Sequence, residues 1–516
     1  MSTTSKPSGK LTSADASAVA IILAAGKGTR LKSDLAKVLH RAAGLPLISH
    51  VLRSCEGLGL GSSIVVVGYQ AGEVRAVADA HGARAVIQEP LGGTGHAVAA
   101  AREPAGSARF ALVLPGDAPL VTTDTLRPLL DAHLHNDAAA TILTARLDTP
   151  SGYGRILRRP DGYVAAIVEE KSATPDELAF REVNSGIYCF TLEKLWPCLD
   201  ELQPENAHRE LYLTDAIALL NQQSLRVAAV AGPPEEILGC NTRAELADAD
   251  RILRRRKIAV LMDSGVTIYL PETVAVDVDV QAGQDTIIEP HAMLLGSTIV
   301  GARCRIATGC ILEDATLGDD IVLKPYTLIY SSRLETAAAA GPFSHLRDEA
   351  HLDAEARIGN FVEVKKSQIG SGVKAMHLSY LGDASIGAKT NIGAGTITCN
   401  YDGEKKNRTV IGERVFVGSG TELIAPVTVG SDSYIAAGST ITQDVPENSL
   451  AIARARQEVK LGWAADRRSA SGKSVITKTG VLASASPASG STQTKPRIKA
   501  KRPSATPKRR QKPQNP

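Results

Sequence analysis

Two sets of residues in this sequence have the types and spacing for chemistry. The first begins with the segment LAAGKGTRL (23–31), directly after a short apolar run. Glycines at 26 and 28 let the backbone approach a ligand and turn its N–H groups toward phosphate oxygens. Lys27, Arg30 and, a little later, Lys37 add positive charge. Transfer on a triphosphate is governed by charge stabilisation and alignment, so this composition suits it. The spacing is neither that of a Walker A loop nor that of a dinucleotide-binding glycine loop. Taken alone it would also fit a tight strand-to-helix connection. A second glycine-rich loop, QEPLGGTGHA (88–97), carries Gln88 and Thr94, which can hydrogen-bond a base. In LVLPGDAPL (112–120), Asp117 falls just past the C-terminal end of an apolar run, where open α/β sheets bind ligands. A carboxylate beside a triphosphate is a natural Mg²⁺ ligand. A helix N-cap is the plainer role for the same residue.

The second set lies in the C-terminal half. The segments GPFSHLRDEA (341–350), GNFVEVKKS (359–367), MHLSYLGD (376–383), NIGAGTITCNYDGEKKNRT (391–409) and VGSGTE (417–422) interrupt an aliphatic pattern with polar groups. His377 is a candidate general base. An ammonium must lose a proton before it attacks a thioester, and a histidine titrating near neutrality suits that task. With eleven histidines in the chain, a surface or satisfied histidine is the ordinary alternative. NYDGEKK reads as a loop extruded at Asp402-Gly403.

The elements that position these residues follow from periodicity. Residues 18–24, 62–68, 84–88, 109–117 and 139–147 are apolar runs with the look of buried parallel strands, and helical stretches such as Ala71 to His81 separate them. That alternation predicts a Rossmann-like, doubly wound α/β domain. Beyond a predicted connecting helix the period changes to six. Ile411, Val417, Leu423, Val429, Ile435 and Ile441 are evenly spaced, and Ile288, Leu294, Val300, Ile306 and then Ile311, Leu317, Leu323, Ile329 repeat the pattern. Glycine often follows the aliphatic residue. This is the mark of a left-handed parallel β-helix of hexapeptide repeats. The expected organisation is a disordered leader at 1–17, an α/β domain at 18–243, a connecting helix at 244–265, the β-helix at 266–466 and a disordered tail at 467–516.

Composition sets bounds on this reading. Of 516 residues, 43% are hydrophobic and 22% charged, as in soluble globular proteins. No apolar run approaches the ~18 residues of a membrane span, and the N-terminus lacks the apolar stretch of a secretory signal. Seven scattered cysteines without a CxxC pair argue against a disulfide framework or a zinc site and suit a reducing cytoplasm. Aromatics are only 4%, so each β-helix has a thin core and side-by-side packing would bury more; left-handed β-helices of this type commonly form trimers with sites between subunits, so a homotrimer is expected. Residues 467–516 hold thirteen Lys or Arg and no acid, leaving a charge of −10 on residues 1–466. Such a tail suits a polyanion partner or a solvated extension.

With both sets in view, residues 18–463 resemble a family of sugar-nucleotide pyrophosphorylases: the bifunctional bacterial N-acetylglucosamine-1-phosphate uridyltransferases / glucosamine-1-phosphate N-acetyltransferases. The resemblance implies that Leu23, Ala25, Gly26, Gln88, Gly93 and Thr94 contact the uridine nucleotide, that Arg30 and Lys37 stabilise the transferring phosphoryl, and that Asp117 and Asn241 hold Mg²⁺. It implies Gly154, Glu169 and Asn184 for the N-acetyl sugar. In the β-helix it implies His377 as base, oriented by Glu363, with Arg347, Lys365, Tyr380, Asn391 and Lys406 on glucosamine-1-phosphate. Acetyl-CoA would use Ala394, Asn400, Tyr401, Ser419, Ala437 and Arg454, in a groove between two helices. The chain departs from the family pattern twice. Leu91 stands where the family usually has a second glutamine. Around Arg347, His345 replaces an arginine and Asp348-Glu349 replaces Pro-Gly. The other readings are a single-function nucleotidyltransferase with a structural or regulatory β-helix, and a trimeric scaffold or polyanion-binding protein without catalysis.

Overall fold

Strand formation in the first 240 residues follows the apolar runs. Ala18–Ala24, Ser62–Val67 and Phe110–Pro115 are β-branched or aliphatic and almost wholly buried, as a strand covered on both faces must be. The structure, a computed structural model, describes residues 17–204 and 210–471. In the nine-stranded sheet the main order is Val227–Ala231, Ala140–Arg146, Glu182–Thr191, Phe110–Pro115, Ala18–Ala24, Ser62–Val67, Arg84–Ile87. The strand Ala18–Ala24 pairs in parallel on both sides, with Ile21 opposite Ile64 and Val113. Every strand expected from the apolar runs is present. The sheet is not wholly parallel, however. Glu182–Thr191 is inserted at its centre and runs antiparallel to both neighbours. Apolarity reports burial and carries no sign of strand direction, so this strand reads like the rest. A register shift between Asn184 and Tyr188, with Gly186 at φ +78°, bulges it toward the ligand edge.

The helix Arg243–Asp263 occupies the expected connector. Thr242 caps it, and Glu245 completes a capping box. Arg254 pairs with Asp250 on its own helix and with Asp277 on the first coil of the next domain. Ala43 N–H donates to Asp250, and the Ala43 carbonyl accepts from Val278 N–H. The connector is thus tied to both domains.

The C-terminal domain is a left-handed β-helix with three parallel sheets of eleven, ten and nine short strands. One aliphatic residue per strand points inward: Ile288, Leu294, Val300 and Ile306 are all buried. The next inward residue is Leu312, not Ile311, whose side chain is only partly covered. The one-residue slip therefore falls at the corner after the second sheet. That corner spans five residues in four coils, among them Leu312 to Leu317 and Ile329 to Leu334, which turn through a left-handed residue, Asp314 or Ser331. The same corner at Leu346 to Leu352 spans six and holds two left-handed residues, Asp348 (φ +52°) and Glu349 (φ +64°). Residues 400–408 leave the coil as the expected loop. The Asp402 carboxylate accepts from Glu404 N–H, Lys405 N–H and the Asn407 amide, which brings its pKa down to about 2.

Strand pairing ends at Leu450–Ala451, and the chain divides after Arg454, ahead of the boundary expected at 466. Beyond it the described residues form a helix, Trp463–Ala470, which covers the start of the segment expected to be disordered. Arg467 lies over the Trp463 ring, 5.2 Å from its centroid. Residues 472–516 of the expected tail and 1–16 of the expected leader lie outside the described residues. Ser17 belongs to the fold, since its carbonyl accepts from Arg109 N–H.

Candidate active sites

The first site forms at the C-terminal ends of the central strands. After Ala18–Ala24 the chain turns through Gly28, at φ +73°, into a 3₁₀ turn Thr29–Leu31 that presents Arg30. A Cβ at Gly28 would stand 2.5 Å from the Lys37 Cβ, so the glycine lets the lysine stem cross the loop. The Lys37 ammonium ion-pairs closely with Asp117 and donates to Asn241 Oδ1 at 2.7 Å. Arg30 donates to the same Oδ1 at 2.6 Å. Two cations therefore converge on two oxygen donors from opposite ends of the domain. A carboxylate and an amide oxygen already gathered on a cation are hard donors of the kind Mg²⁺ takes, with phosphate and water completing its shell. Among the described residues no cluster of three His, Cys, Asp or Glu side chains offers a metal a fuller cage.

Two residues that the sequence did not single out support this cluster. Glu245 accepts from Asn241 N–H and Thr242 N–H, both at 2.7 Å, which fixes Asn241 through the cap of the connector helix. The Tyr153 phenol stands close to Asp117 and Glu245; burial and these carboxylates push its pKa up. A Thr-x-x-Glu pattern next to Asn241 was the available signal for Glu245.

The second glycine-rich loop is folded onto itself. Gln88 is buried, and its amide donates to the Gly93 carbonyl at 2.9 Å. Thr94 Oγ1 accepts from Leu213 N–H, and Gly92 and Gly95 bond to Leu211. Gln88 and Thr94 thus shape the loop as well as face it. Leu91 is 53% exposed and packs over Gly68 and Ala25, against the wall of the phosphate loop. Leu23 and Ala25 are anchored by their carbonyls, which accept from Gly116 and Tyr69 N–H groups. Gly26 has open space where a side chain would be.

Gly154, Glu169 and Asn184 come together beside this cluster. The Gly154 carbonyl accepts from Asn184 N–H, and a Cβ on Gly154 would lie 3.6 Å from the Glu169 carboxyl. The Asn184 amide donates to Tyr188 Oη at 2.8 Å. Burial, then the charge of Asp215, raises the Glu169 pKa. Asp215 and Tyr212, set by the helix Leu213–Gln222 and the residue capping it, therefore border the same pocket, though the sequence did not mark them.

The second site is built by coil register. His345, Glu363 and Tyr380 stack in one outward column of the second sheet, and Arg347, Lys365 and Gly382 in the next. Arg347 donates from Nε and Nη2 to Glu363 Oε1, each at 2.8 Å, and from Nη1 to Asp348 at 2.9 Å. Lys365 comes within 3.7 Å of Asp348. Lys406 reaches back from the extruded loop, and the closeness of the Lys365 amine and its charge lowers its pKa below the ordinary lysine range. Asn400 bridges Tyr380 Oη and Asp383, at 3.4 and 2.6 Å. Gly382 leaves the space these groups fill, since a Cβ there would stand 2.3 Å from the Tyr380 oxygen. Beneath them Thr398 takes the inward position of the repeat. Its hydroxyl accepts from Gly382 N–H at 2.8 Å and lies 2.9 Å from the Gly382 carbonyl, to which it donates.

The side chain bonded to His377 in the structure is Asn360, a residue the sequence did not single out, while Glu363 pairs with Arg347. Asn360 Oδ1 lies 2.9 Å from His377 Nδ1, across the first-sheet pairing of residues 360 and 377, whereas Glu363 serves Arg347 on the second sheet. With the amide oxygen as acceptor, Nδ1 carries the hydrogen and the Nε2 lone pair is left free. His377 also stands at the foot of a corner column. Gly395, Gly420 and Gly438 donate in turn to the carbonyls of Leu378, Ala394 and Ser419, which aligns Ala394, Ser419 and Ala437 along one edge toward Arg454. Asn391 lies on the first sheet between Lys374 and Phe416, and Tyr401 lies on the extruded loop, bonded to the Gly403 carbonyl. These two are not brought to the Arg347 cluster by a described contact.

Known proteins show the same pairing of folds. Residues 20–235 match the MobA-like NTP transferase domain, and 408–443 match the bacterial transferase hexapeptide, six repeats. The Bifunctional protein GlmU of Koribacter versatilis is 48% identical over 452 residues, covering 87% of this chain and 96% of that one. The Bifunctional protein GlmU of Pelobacter propionicus is 49% identical over 448 residues, covering 86% and 97%. A solved UDP-glucose pyrophosphorylase complexed with UDP-glucose is similar over 46% of this chain and 98% of that chain, at 16% identity and a TM-score of 0.39. An NTP-transferase sheet and a hexapeptide β-helix in this order, matched end to end at nearly half identity, place the chain in the bifunctional GlmU family, enzymes that carry a uridyltransferase and a glucosamine-1-phosphate acetyltransferase on one polypeptide.

Proposed function

We propose that the β-helix acetylates glucosamine-1-phosphate from acetyl-CoA and that the α/β domain then joins the product to UTP. The observation that carries this reading is that two separate cation clusters, each with its own reactive partner, stand on two different folds of one chain.

In the α/β domain, an oxygen of the sugar 1-phosphate attacks the α-phosphorus of UTP. The bond from that phosphorus to the bridging oxygen breaks, and pyrophosphate leaves with the electron pair. The attacking phosphate is already anionic, so no side-chain base is needed. Arg30 and Lys37 exchange their contacts on Asn241 and Asp117 for phosphate oxygens and take up the developing charge. Asp117 and Asn241 are the groups to hold Mg²⁺, which supplies charge neutralisation on the triphosphate. Gln88, Gly93 and Thr94 face uracil, with Leu91 lining the wall. Gly154, Glu169 and Asn184 hold the N-acetyl sugar.

In the β-helix, His377 Nε2 takes a proton from the sugar ammonium. The amine attacks the thioester carbonyl, the carbon–sulfur bond breaks with its electron pair going to sulfur, and the surplus proton on the new amide nitrogen passes to that sulfur, so CoA leaves as the thiol. Arg347, Lys365 and Lys406 hold the phosphate, and Tyr380 and Asn391 the sugar. The column Ala394, Ser419, Ala437 and Arg454, with Asn400 and Tyr401, carries acetyl-CoA to the histidine. A homotrimer is supported by an apolar ridge beside His377. Tyr326, Phe343 and Phe361 stack with centroids 5.2 and 5.5 Å apart, each is about half exposed, and Leu378 continues the row. A cytoplasmic location fits the seven free cysteines. Among the described residues no helix is long and apolar enough to cross a membrane.

The test supplies glucosamine-1-phosphate, acetyl-CoA, UTP and Mg²⁺ and follows free thiol and pyrophosphate separately. Both products are expected. With His377→Ala, pyrophosphate release should return when N-acetylglucosamine-1-phosphate is supplied. If thiol is never released and only the N-acetyl sugar gives pyrophosphate, the β-helix is a scaffold and the acetyl-transfer half of the reading fails.

A further inference from the structure

The phosphate end of the second site contains a carboxylate that the reaction does not use. We propose that Asp348 is a built-in competitor for the substrate phosphate, occupying Arg347 and Lys365 in the empty site and setting how tightly a sugar phosphate is held. This inference rests on the reading of the Arg347 cluster as the phosphate site.

Three observations carry it. Every nitrogen of Arg347 is engaged by a carboxylate: Nε and Nη2 go to Glu363 and Nη1 goes to Asp348. A phosphate approaching the Nη1 side of that guanidinium competes with the Asp348 carboxylate already there. Asp348 is the one that can leave. Its side chain is 52% exposed, and it sits on a turn, whereas Glu363 is held in a strand. The second observation is the turn itself. The corner after Arg347 holds one residue more than the same corner in the coils before and after it, and Asp348 and Glu349 are both left-handed. The two consecutive left-handed residues place the Asp348 carboxylate beside Arg347. The third is Lys365, whose ammonium lies 3.7 Å from the same Asp348 oxygen. One carboxylate therefore reaches two of the three cations that a phosphate needs, and like charges exclude both from sharing the place.

The test is steady-state acetyl transfer with the full chain, comparing Asp348→Asn, Glu349→Gln and Arg347→Ala. Asparagine accepts a left-handed backbone, so the turn is retained; Asp348→Gly serves as a second variant with the same freedom. A half-exposed ion pair is worth up to about 1 kcal/mol, so KM for glucosamine-1-phosphate should fall about two- to fivefold in Asp348→Asn, with the change in KM rather than kcat. Inhibition by inorganic phosphate should tighten by the same factor. Glu349→Gln removes the same charge one residue away and should move neither constant. If KM is unchanged or rises in both Asp348 variants while Arg347→Ala raises it, the competitor role is wrong and the phosphate site stands. If Glu349→Gln lowers KM as much as Asp348→Asn, net charge rather than contact is responsible, and the proposal also falls. If Arg347→Ala leaves KM where it was, the cluster is not the phosphate site and the underlying reading fails.

Discussion

The two sites collect their charges by opposite means. In the α/β domain, Arg30 and Asn241 are 211 residues apart and meet only because the sheet, the glycine loop and the connector helix pack correctly. In the β-helix, Arg347, Glu363, Lys365 and Tyr380 come from neighbouring coils and meet because the repeat places each coil's second strand over the last. The first geometry is a property of tertiary packing. The second is a property of register. A site made by packing fails when one contact is pushed aside, whereas a site made by register is protected by its ladder and fails when the ladder is loosened.

The largest effect should come from removing the reactive groups themselves. His377→Ala should lower acetyl transfer and Asp117→Ala uridylyl transfer, each by roughly a hundred- to a thousandfold, with the other activity retained. Measured as thiol and pyrophosphate release on the same preparations, cross-inactivation would break the separation between regions. A packing perturbation comes next. Gly28→Ala places a methyl 2.5 Å from the Lys37 stem at a positive φ. Displacing that ammonium by an ångström should reduce pyrophosphate release by up to about a hundredfold and leave thiol release unchanged. Register is tested by Thr398→Val, which keeps shape and removes the hydroxyl bonds to Gly382. Leaving those backbone groups buried and unpaired should cost about 1–3 kcal/mol, read as a lower denaturation midpoint, with acetyl transfer weakened and uridylyl transfer spared.

The smallest effect is in pH. Lys365 holds Lys406 below the ordinary lysine range, so Lys406 loses its proton earlier as pH rises. The cation is present below that pKa and absent above it. kcat/KM for glucosamine-1-phosphate should therefore fall on the alkaline side sooner than an isolated lysine would allow. Lys365→Met should move that limb to higher pH while lowering the plateau. A limb that stays in place would remove Lys406 from phosphate binding.

The same contrast decides how much the sequence could reveal. The six-residue period announced the β-helix without ambiguity, because every coil repeats one inward aliphatic. It misjudged Ile311 because Ile311 and Leu312 are adjacent aliphatics, and only the five-residue corner distinguishes them. The strands of the α/β domain were legible as apolar runs, but the antiparallel course of Glu182–Thr191 was not, since direction leaves no mark on burial. Gly154, Glu169 and Asn184 could be named from the resemblance, whereas Asp215 and Tyr212 enter their pocket from a helix and a cap with no motif. Asn360 was overlooked for a related reason. Its relation to His377 is a pairing of seventeen residues that shows only when the coils are stacked.

The capping box of the connector helix has a consequence for modularity. Composition and period put the seam between two enzymes near residue 243, yet the carboxylate that steadies Asn241 is Glu245, two residues beyond it. The same helix continues to Arg254, whose partner Asp277 already belongs to the first coil. A fragment cut at the apparent seam would lose the brace of its own Asn241 loop. Any fragment meant to keep the first site therefore has to include the helix that seems to belong to the linker as well as the α/β domain.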